Sequence, residues 1–285
     1  MNNYLLVSPN CSDLASPNFE VKRFPDGENY IRVPQIDELK DKQVTILHRI
    51  YPNQNRCIMQ LFQTLSILRS VTSKITAIVP YLSYARQDEV TLKGEALTAD
   101  MLCKMSVNAG LDELVTFDCH FIKRGPGIHT HAGLKIDHRT IMPQLLEHVR
   151  SKVDNPVIIS PGMGSAHLVE KEGGVVMDMV KEEYTGGEII LRTKHEEKLD
   201  IDLSGRDVIL LDDMIAVGET MIVAAKACKG AGAKRVLCAA VHGLLVGYAF
   251  DRIRAAGVKE IVVSDSAPGP ASQVSIKLGL KDFLQ

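Results

Sequence analysis

Short apolar runs rich in Val, Ile and Leu alternate along this chain with longer stretches in which apolar residues return every three or four positions. The first pattern belongs to strands buried on both faces and the second to helices with one buried face. Their alternation predicts an α/β protein with mostly parallel sheets flanked by helices. The spacing predicts strands at Leu5–Val7, Val44–Leu47, Ile75–Val79 and Leu114–Phe117, with a helix over Ile58–Leu68. The alternation restarts beyond Leu145, with strands expected at Pro156–Ile159, Val208–Leu211, Val236–Ala240 and Glu260–Val263. A helix over Thr220–Lys229 is stopped by Gly230 and Gly232.

The restart divides the chain. Ser151–Pro156 reads as a turn, and Ala109–Val115 is echoed by Ala231–Leu237, each leading to a histidine, His120 or His242. Two domains are expected, over residues 1–147 and 148–285. The charged, weakly periodic segment from Gly186 to Arg206 reads as a surface flap or hairpin, or equally as a solvated excursion.

Composition narrows the partners. Of 285 residues, 45% are hydrophobic, enough for two ordinary cores. The 33 basic and 35 acidic residues nearly cancel without long blocks of one sign, so no broad surface for nucleic acid is expected. No apolar run is long enough to cross a bilayer, and the opening Met1–Val7 lacks the basic leader of a secretory signal, so no membrane partner and a cytoplasmic location are expected. The six cysteines form no CxxC pair and read as reduced thiols. His129, His131 and His138 have no spacing that defines a zinc or iron site.

The most informative stretch is Val208–Thr220: an apolar strand, the acids Asp212 and Asp213, a loop with Gly218, and Thr220 at a helix start. Backbone N–H groups at a helix mouth lack partners inside the helix and can hold an anion. A Thr hydroxyl adds a donor, while the acids can meet sugar hydroxyls or Mg2+. The plain alternative is that the acids end a strand and Thr220 caps a helix.

Four separated motifs then resemble those of ribose-phosphate pyrophosphokinases: Arg23–Glu28 (RFPDGE), Pro80–Asp88 (PYLSYARQD), Asp118–His120 (DCH) and Asp212–Ile215 (DDMI). Gly94–Ala96 and Asn53–Asn55 also resemble family positions, and the likeness runs over nearly the whole chain in order. The resemblance implies two tandem type I phosphoribosyltransferase-like domains and a homodimer or higher homo-oligomer. It implies that Phe24, Asp26 and Glu28 hold the adenine of ATP, that Arg86, Gln87 and Asp88 approach the nucleotide, and that Asp118 and His120 lie near Mg2+ on the triphosphate. Asp212, Asp213, Gly218 and Thr220 would bind the sugar phosphate, and Lys181 would be the catalytic lysine. The chemistry suits these residue types: an aromatic face for a base, a guanidinium for phosphate oxygens, an imidazole to orient a metal shell. Plainer readings are an Arg86–Asp88 ion pair, a core His120 and a Phe24 buried for packing.

The reaction implied is transfer of the β,γ-diphosphate of ATP, with Mg2+, to the anomeric hydroxyl of ribose 5-phosphate. The departures from the family pattern fall on the acceptor side. Gly162 stands where an acid is usual, Val217 and Glu219 replace a hydroxyl and a small residue, and Glu183 replaces an arginine. Val217 cannot donate to phosphate, and an inward Glu219 carboxylate would repel it. Two alternatives follow: diphosphotransfer to a different acceptor, or a noncatalytic nucleotide-binding regulator that assembles with an active paralogue.

Overall fold

The computed structural model describes residues 3–177, 183–185, 188–190, 199 and 201–284. They form two compact units, Met1–Ile141 with Ile276–Gln285, and Met142–Ser275.

In the first unit the apolar runs become β1 (Asn3–Val7), β4 (Gln43–Leu47), β5 (Lys74–Ile78) and β6 (Glu113–Phe117). They are parallel neighbours in that order, and β8 (Leu134–Arg139) continues the parallel sheet beyond β6. An antiparallel edge strand, β7 (Gly127–His131), closes it. Leu6, Ile46, Ile75 and Ile136 are fully buried, as strands covered on both faces require. Helix α1 (Gln54–Arg69) begins four residues before the expected start at Ile58 and sinks Leu61, Leu65 and Leu68 into the same core. Helix α2 (Thr98–Asn108) contributes Leu102 and Cys103 to it. A separate hairpin, β2 (Glu20–Arg23) and β3 (Asn29–Arg32), lies against α1.

The second unit is a six-stranded parallel sheet in the order β10 (Val175–Val176), β9 (Val157–Ser160), β13 (Asp207–Ile215), β14 (Arg235–Gly243), β15 (Val258–Ser264) and β16 (Ser272–Val274). Its helices are α3 (Met142–Arg150), the short α4 (Ala166–Val169), α5 (Glu219–Gly230) and α6 (Ala249–Ala255). A hairpin of β11 (Glu183–Thr185) and β12 (Glu188–Ile190) lies at the start of the charged segment.

Two expectations are corrected. The division falls at Ile141/Met142, not 147/148, because α3 buries Met142, Leu145, Leu146 and Val149 against β14 to β16. Nor does the second unit keep the C-terminus: residues from Ile276 onward return to the first, where Ile276 and Leu280 are fully buried. There Arg139 donates to Gly279 O at 2.7 Å and to both carboxylate oxygens of Asp282 at 2.7 Å. Gly279 lies so close to Phe117 that a Cβ would be 2.5 Å from its ring.

Candidate active site

In the first unit the Arg23–Glu28 motif is the turn of the β2–β3 hairpin. Phe24 N donates to Glu28 O at 2.9 Å, Gly27 N to Phe24 O at 3.0 Å, and Glu28 N to Asp26 Oδ1 at 3.1 Å. Gly27 holds φ +102°, which side chains other than glycine rarely tolerate. The turn presents Phe24 with 48% of its surface exposed and its ring edge-on to Tyr30 at 5.8 Å. Phe24 is therefore half-exposed against Tyr30 rather than buried in a core.

Helix α1 anchors two of the motifs. Asn29 of the hairpin donates to Arg56 O at 3.4 Å and accepts from Gln60 Nε2 at 3.2 Å. The Tyr84 hydroxyl donates to Asn55 Oδ1 in the first turn of the same helix. The chain then turns into α2, where Thr98 Oγ1 donates to Gln87 Oε1 at 3.1 Å and Ala99 N to Gln87 O at 3.2 Å. The side-chain oxygen of Gln87 is thus engaged by the fold, while Arg86 is exposed and Asp88 half-buried.

Asp118 follows β6 with φ +37° and is 6% exposed. Its Oδ1 accepts from Thr140 Oγ1 at 2.7 Å, its Oδ2 from Ile141 N at 3.3 Å, and its N–H donates to Arg139 O at 2.9 Å. The carboxylate therefore ties the β6 loop to the end of β8. His120 is half-buried two residues on. The other histidines have fold contacts: His138 accepts from Cys119 N at 3.0 Å, and His131 lies 2.8 Å from Asp100. Among the described residues no group of three or more His, Cys, Asp or Glu is gathered to hold a metal.

In the second unit β13 does not stop at Leu211. Its pairing with β14 continues through Asp212↔Ala240 to Ile215↔Gly243, so the two acids lie inside the ladder's C-terminal part. Asp213 N donates to Asp212 Oδ1 at 2.9 Å, and the Ser165 side chain is also hydrogen-bonded to Asp212. Burial first, and then the neighbouring Asp213 charge, hold the Asp212 carboxyl well above the usual carboxylate range. A carboxyl so biased toward its protonated form can both donate to and accept from a hydroxyl.

Helix α5 opens on Gly218, not Thr220. Gly218 holds φ +83° with no side-chain cap, and Thr220 is the helix's second residue. A Cβ at Gly218 would lie 2.7 Å from Ile253 Cδ1, so α6 packs directly on the loop. The loop before α6 is pinned to the same place by Leu244 N and Leu245 N donating to Ile215 O at 2.9 and 3.1 Å, and Val246 N to Ala216 O at 3.0 Å. The Glu219 carboxylate accepts a hydrogen bond from Arg252 Nη2 of α6. Gly162 is extended, and Ser160 Oγ donates to its carbonyl at 2.7 Å. Val217 is 39% exposed.

Lys181 lies outside the described residues, and of Glu183 only the strand β11 is described. Sequence reasoning missed Ser165 and Arg252. Neither carries a local signal, since Arg252 meets Glu219 across 33 positions of chain.

Comparison with known proteins decides the family. The chain is 33% identical over 267 residues to the ribose-phosphate pyrophosphokinase of Sulfurisphaera tokodaii, spanning 90% of this chain and 87% of that one. It belongs to the ribose-phosphate pyrophosphokinase family. The corresponding protein of Methanopyrus kandleri is 32% identical over 264 residues, covering 90% and 86% of the two chains. A family model of the N-terminal domain of ribose phosphate pyrophosphokinase matches residues 10–110, and one of the phosphoribosyl synthetase-associated domain matches 175–279. The fold is shared with the crystal structure of phosphoribosylpyrophosphate synthetase from Mycobacterium smegmatis, at TM-score 0.80 and 23% identity over 100% of this chain and 98% of that one. Within the family's frame, the first match takes in the Phe24 turn and the Arg86 segment, and the second takes in the β13–α5 loop.

Proposed function

We propose that this protein transfers the β,γ-diphosphate of ATP to the anomeric hydroxyl of ribose 5-phosphate, giving phosphoribosyl pyrophosphate and AMP. The observation that carries the proposal is the β13–α5 loop. Gly218 opens α5 with no side chain over the helix mouth, and the half-buried carboxyl pair Asp212–Asp213 ends the strand that leads into the same loop. Such a mouth suits the sugar's phosphate, and the carboxyl pair suits its hydroxyls. Family membership supplies the reaction class, and the exposed Phe24 ring supports a nucleotide stack on the first unit.

On this reading Phe24, Asp26 and Glu28 meet the adenine, and Arg86, Gln87 and Asp88 lie along the nucleotide. Asp212, Asp213, Gly218 and Thr220 hold the acceptor. Lys181 supplies positive charge as the diphosphate transfers, a task suited to a compact ammonium. The anomeric oxygen attacks the β-phosphorus, the bond to the α-phosphate's bridging oxygen breaks, and AMP leaves.

The side chains present fit a Mg2+ that arrives on the nucleotide better than one caged by protein. Mg2+ takes oxygen ligands and keeps several waters, and the Asp118 carboxylate already accepts two protein donors. Asp118 and His120 would then hold it through its water shell, and its chemistry is neutralisation of phosphate charge. Two tandem phosphoribosyltransferase-like domains, a homodimer or higher assembly and a cytoplasmic location complete the proposal.

Val217 favours a second reading. An apolar residue in the loop where the family carries a hydroxyl suits an acceptor whose anionic group is absent or placed differently. Phosphorus NMR of the protein with Mg2+ and ATP, alone, with ribose 5-phosphate and with other sugars, tests both. Acceptor-dependent AMP and a new anomeric diphosphate are expected. Transfer only to other sugars would replace the first reading with the second, and unchanged ATP despite ATP binding would overturn both.

A further inference from the structure

The acceptor loop carries a carboxylate where its proposed ligand carries a phosphate. Glu219 is the first residue of α5, one position beyond Gly218 and one before Thr220. Unpaired there, it would oppose a bound phosphate at close range. The loop also lacks a hydroxyl at Val217, so its own side chains offer less to an anion than the family's pattern does.

Helix α6 changes that balance. Arg252 donates Nη2–H to the Glu219 carboxylate and draws it toward α6. The start of α6 is held at this loop by the backbone, because the chain entering it is hydrogen-bonded to Ile215 O and Ala216 O. The next residue, Ile253, fills the space that a side chain at Gly218 would need. The guanidinium has five N–H donors in a planar fork. Holding Glu219 therefore leaves capacity for a second anion, and half of the Arg252 side chain is exposed.

We propose that Arg252 is a specificity-determining residue for the sugar phosphate: it neutralises Glu219 and supplies, from the neighbouring helix, the cationic donor that the β13–α5 loop lacks. The inference rests on the acceptor reading given above. A solely structural role makes a different prediction, since an exposed ion pair contributes only about 0–1 kcal/mol to stability and leaves substrate affinity alone.

The test uses the full-length protein with ATP, Mg2+ and ribose 5-phosphate, reading KM for each substrate, kcat, and the dissociation constant of ribose 5-phosphate by calorimetry. Arg252→Ala is expected to weaken acceptor binding by about ten- to hundred-fold, the range for losing a hydrogen bond to a charged group. The KM for ATP should hold. Arg252→Lys keeps the charge but loses the fork and should recover part of the loss. Adding Glu219→Ala to Arg252→Ala should recover part as well, because the bare carboxylate is gone. Acceptor affinity unchanged in Arg252→Ala, or ATP and acceptor weakened alike, would overturn the assignment of Arg252 while leaving the proposed reaction standing. A wild-type protein that neither binds nor uses ribose 5-phosphate would overturn both.

Discussion

At the scale of single residues, the same side-chain type has different consequences according to what faces it. Asp212 and Asp118 both follow apolar runs, yet one is biased toward protonation beside Asp213 while the other accepts bonds from Thr140 and Ile141. Both acids and the neighbouring Asp213 were visible in the sequence, but the Asp118 partners Thr140 and Ile141 were not, because they follow the far end of another strand. Gly218 is the clearest case of a residue whose identity is forced. Its φ of +83° and the 2.7 Å approach to Ile253 exclude a side chain on two independent grounds. Gly218→Ala should lower stability by about 1–3 kcal/mol and raise KM for the acceptor more than KM for ATP. Thermal unfolding and steady-state kinetics check the two parts separately. An unaltered melting temperature would mean that the loop can shift away from α6.

Among the elements, the strands were the most legible. Val208–Leu211 and Val236–Ala240 are unbroken apolar runs, and all nine of those residues are buried in β13 and β14. In β13 the run ends where Asp212–Met214 become half-buried, so the hydrogen-bonded extension to Ile215 carried no signal, whereas β14 stays buried through Gly243 and only the polar His242 interrupts its apolar pattern. The β2–β3 hairpin and β7 were missed for a related reason: none of their side chains is buried. β8 does alternate buried and outward positions, but one of its three buried residues is the polar His138, which hides the pattern. The C-terminal segment is the largest correction. Leu280 is fully buried in the first unit, so Leu280→Ala should cost about 2–5 kcal/mol. Asp282 is 57% exposed although it pairs with Arg139, and Asp282→Ala should cost less than about 1 kcal/mol. Hydrogen exchange over residues 3–141 reads the difference. Equal effects would mean that the segment is held by charge rather than by burial.

For the molecule as a whole, each unit contains a group that makes its stability sensitive to acid. Burial holds His48 of the first unit down to about 4 from an ordinary 6.5. Between those values the unfolded chain takes up a proton that the folded one refuses. This contribution is complete above pH 6.5 and is lost as pH falls toward 4. In the second unit the Arg235 guanidinium, hydrogen-bonded to Asp207, holds that carboxyl at about 2, down from 3.8. Its contribution is present above 3.8 and is lost as pH falls through 2. Peptide-resolved hydrogen exchange across pH 7 to 3 should therefore show the first unit losing protection before the second. His48→Gln should flatten the upper window only; loss of both units at a single pH in that variant and the parent would contradict the assignment.

The sequence by itself determined the α/β class, the restart that makes two units, the family motifs and the positions of the acidic pair and its glycine. These depend on local periodicity and on residues adjacent in the chain. Tertiary structure alone decided which unit keeps the C-terminus, where β13 stops, how Asp118 is engaged and which cation meets Glu219. Those outcomes depend on burial and on charges brought together across long stretches of chain, and neither is written in the spacing of neighbours.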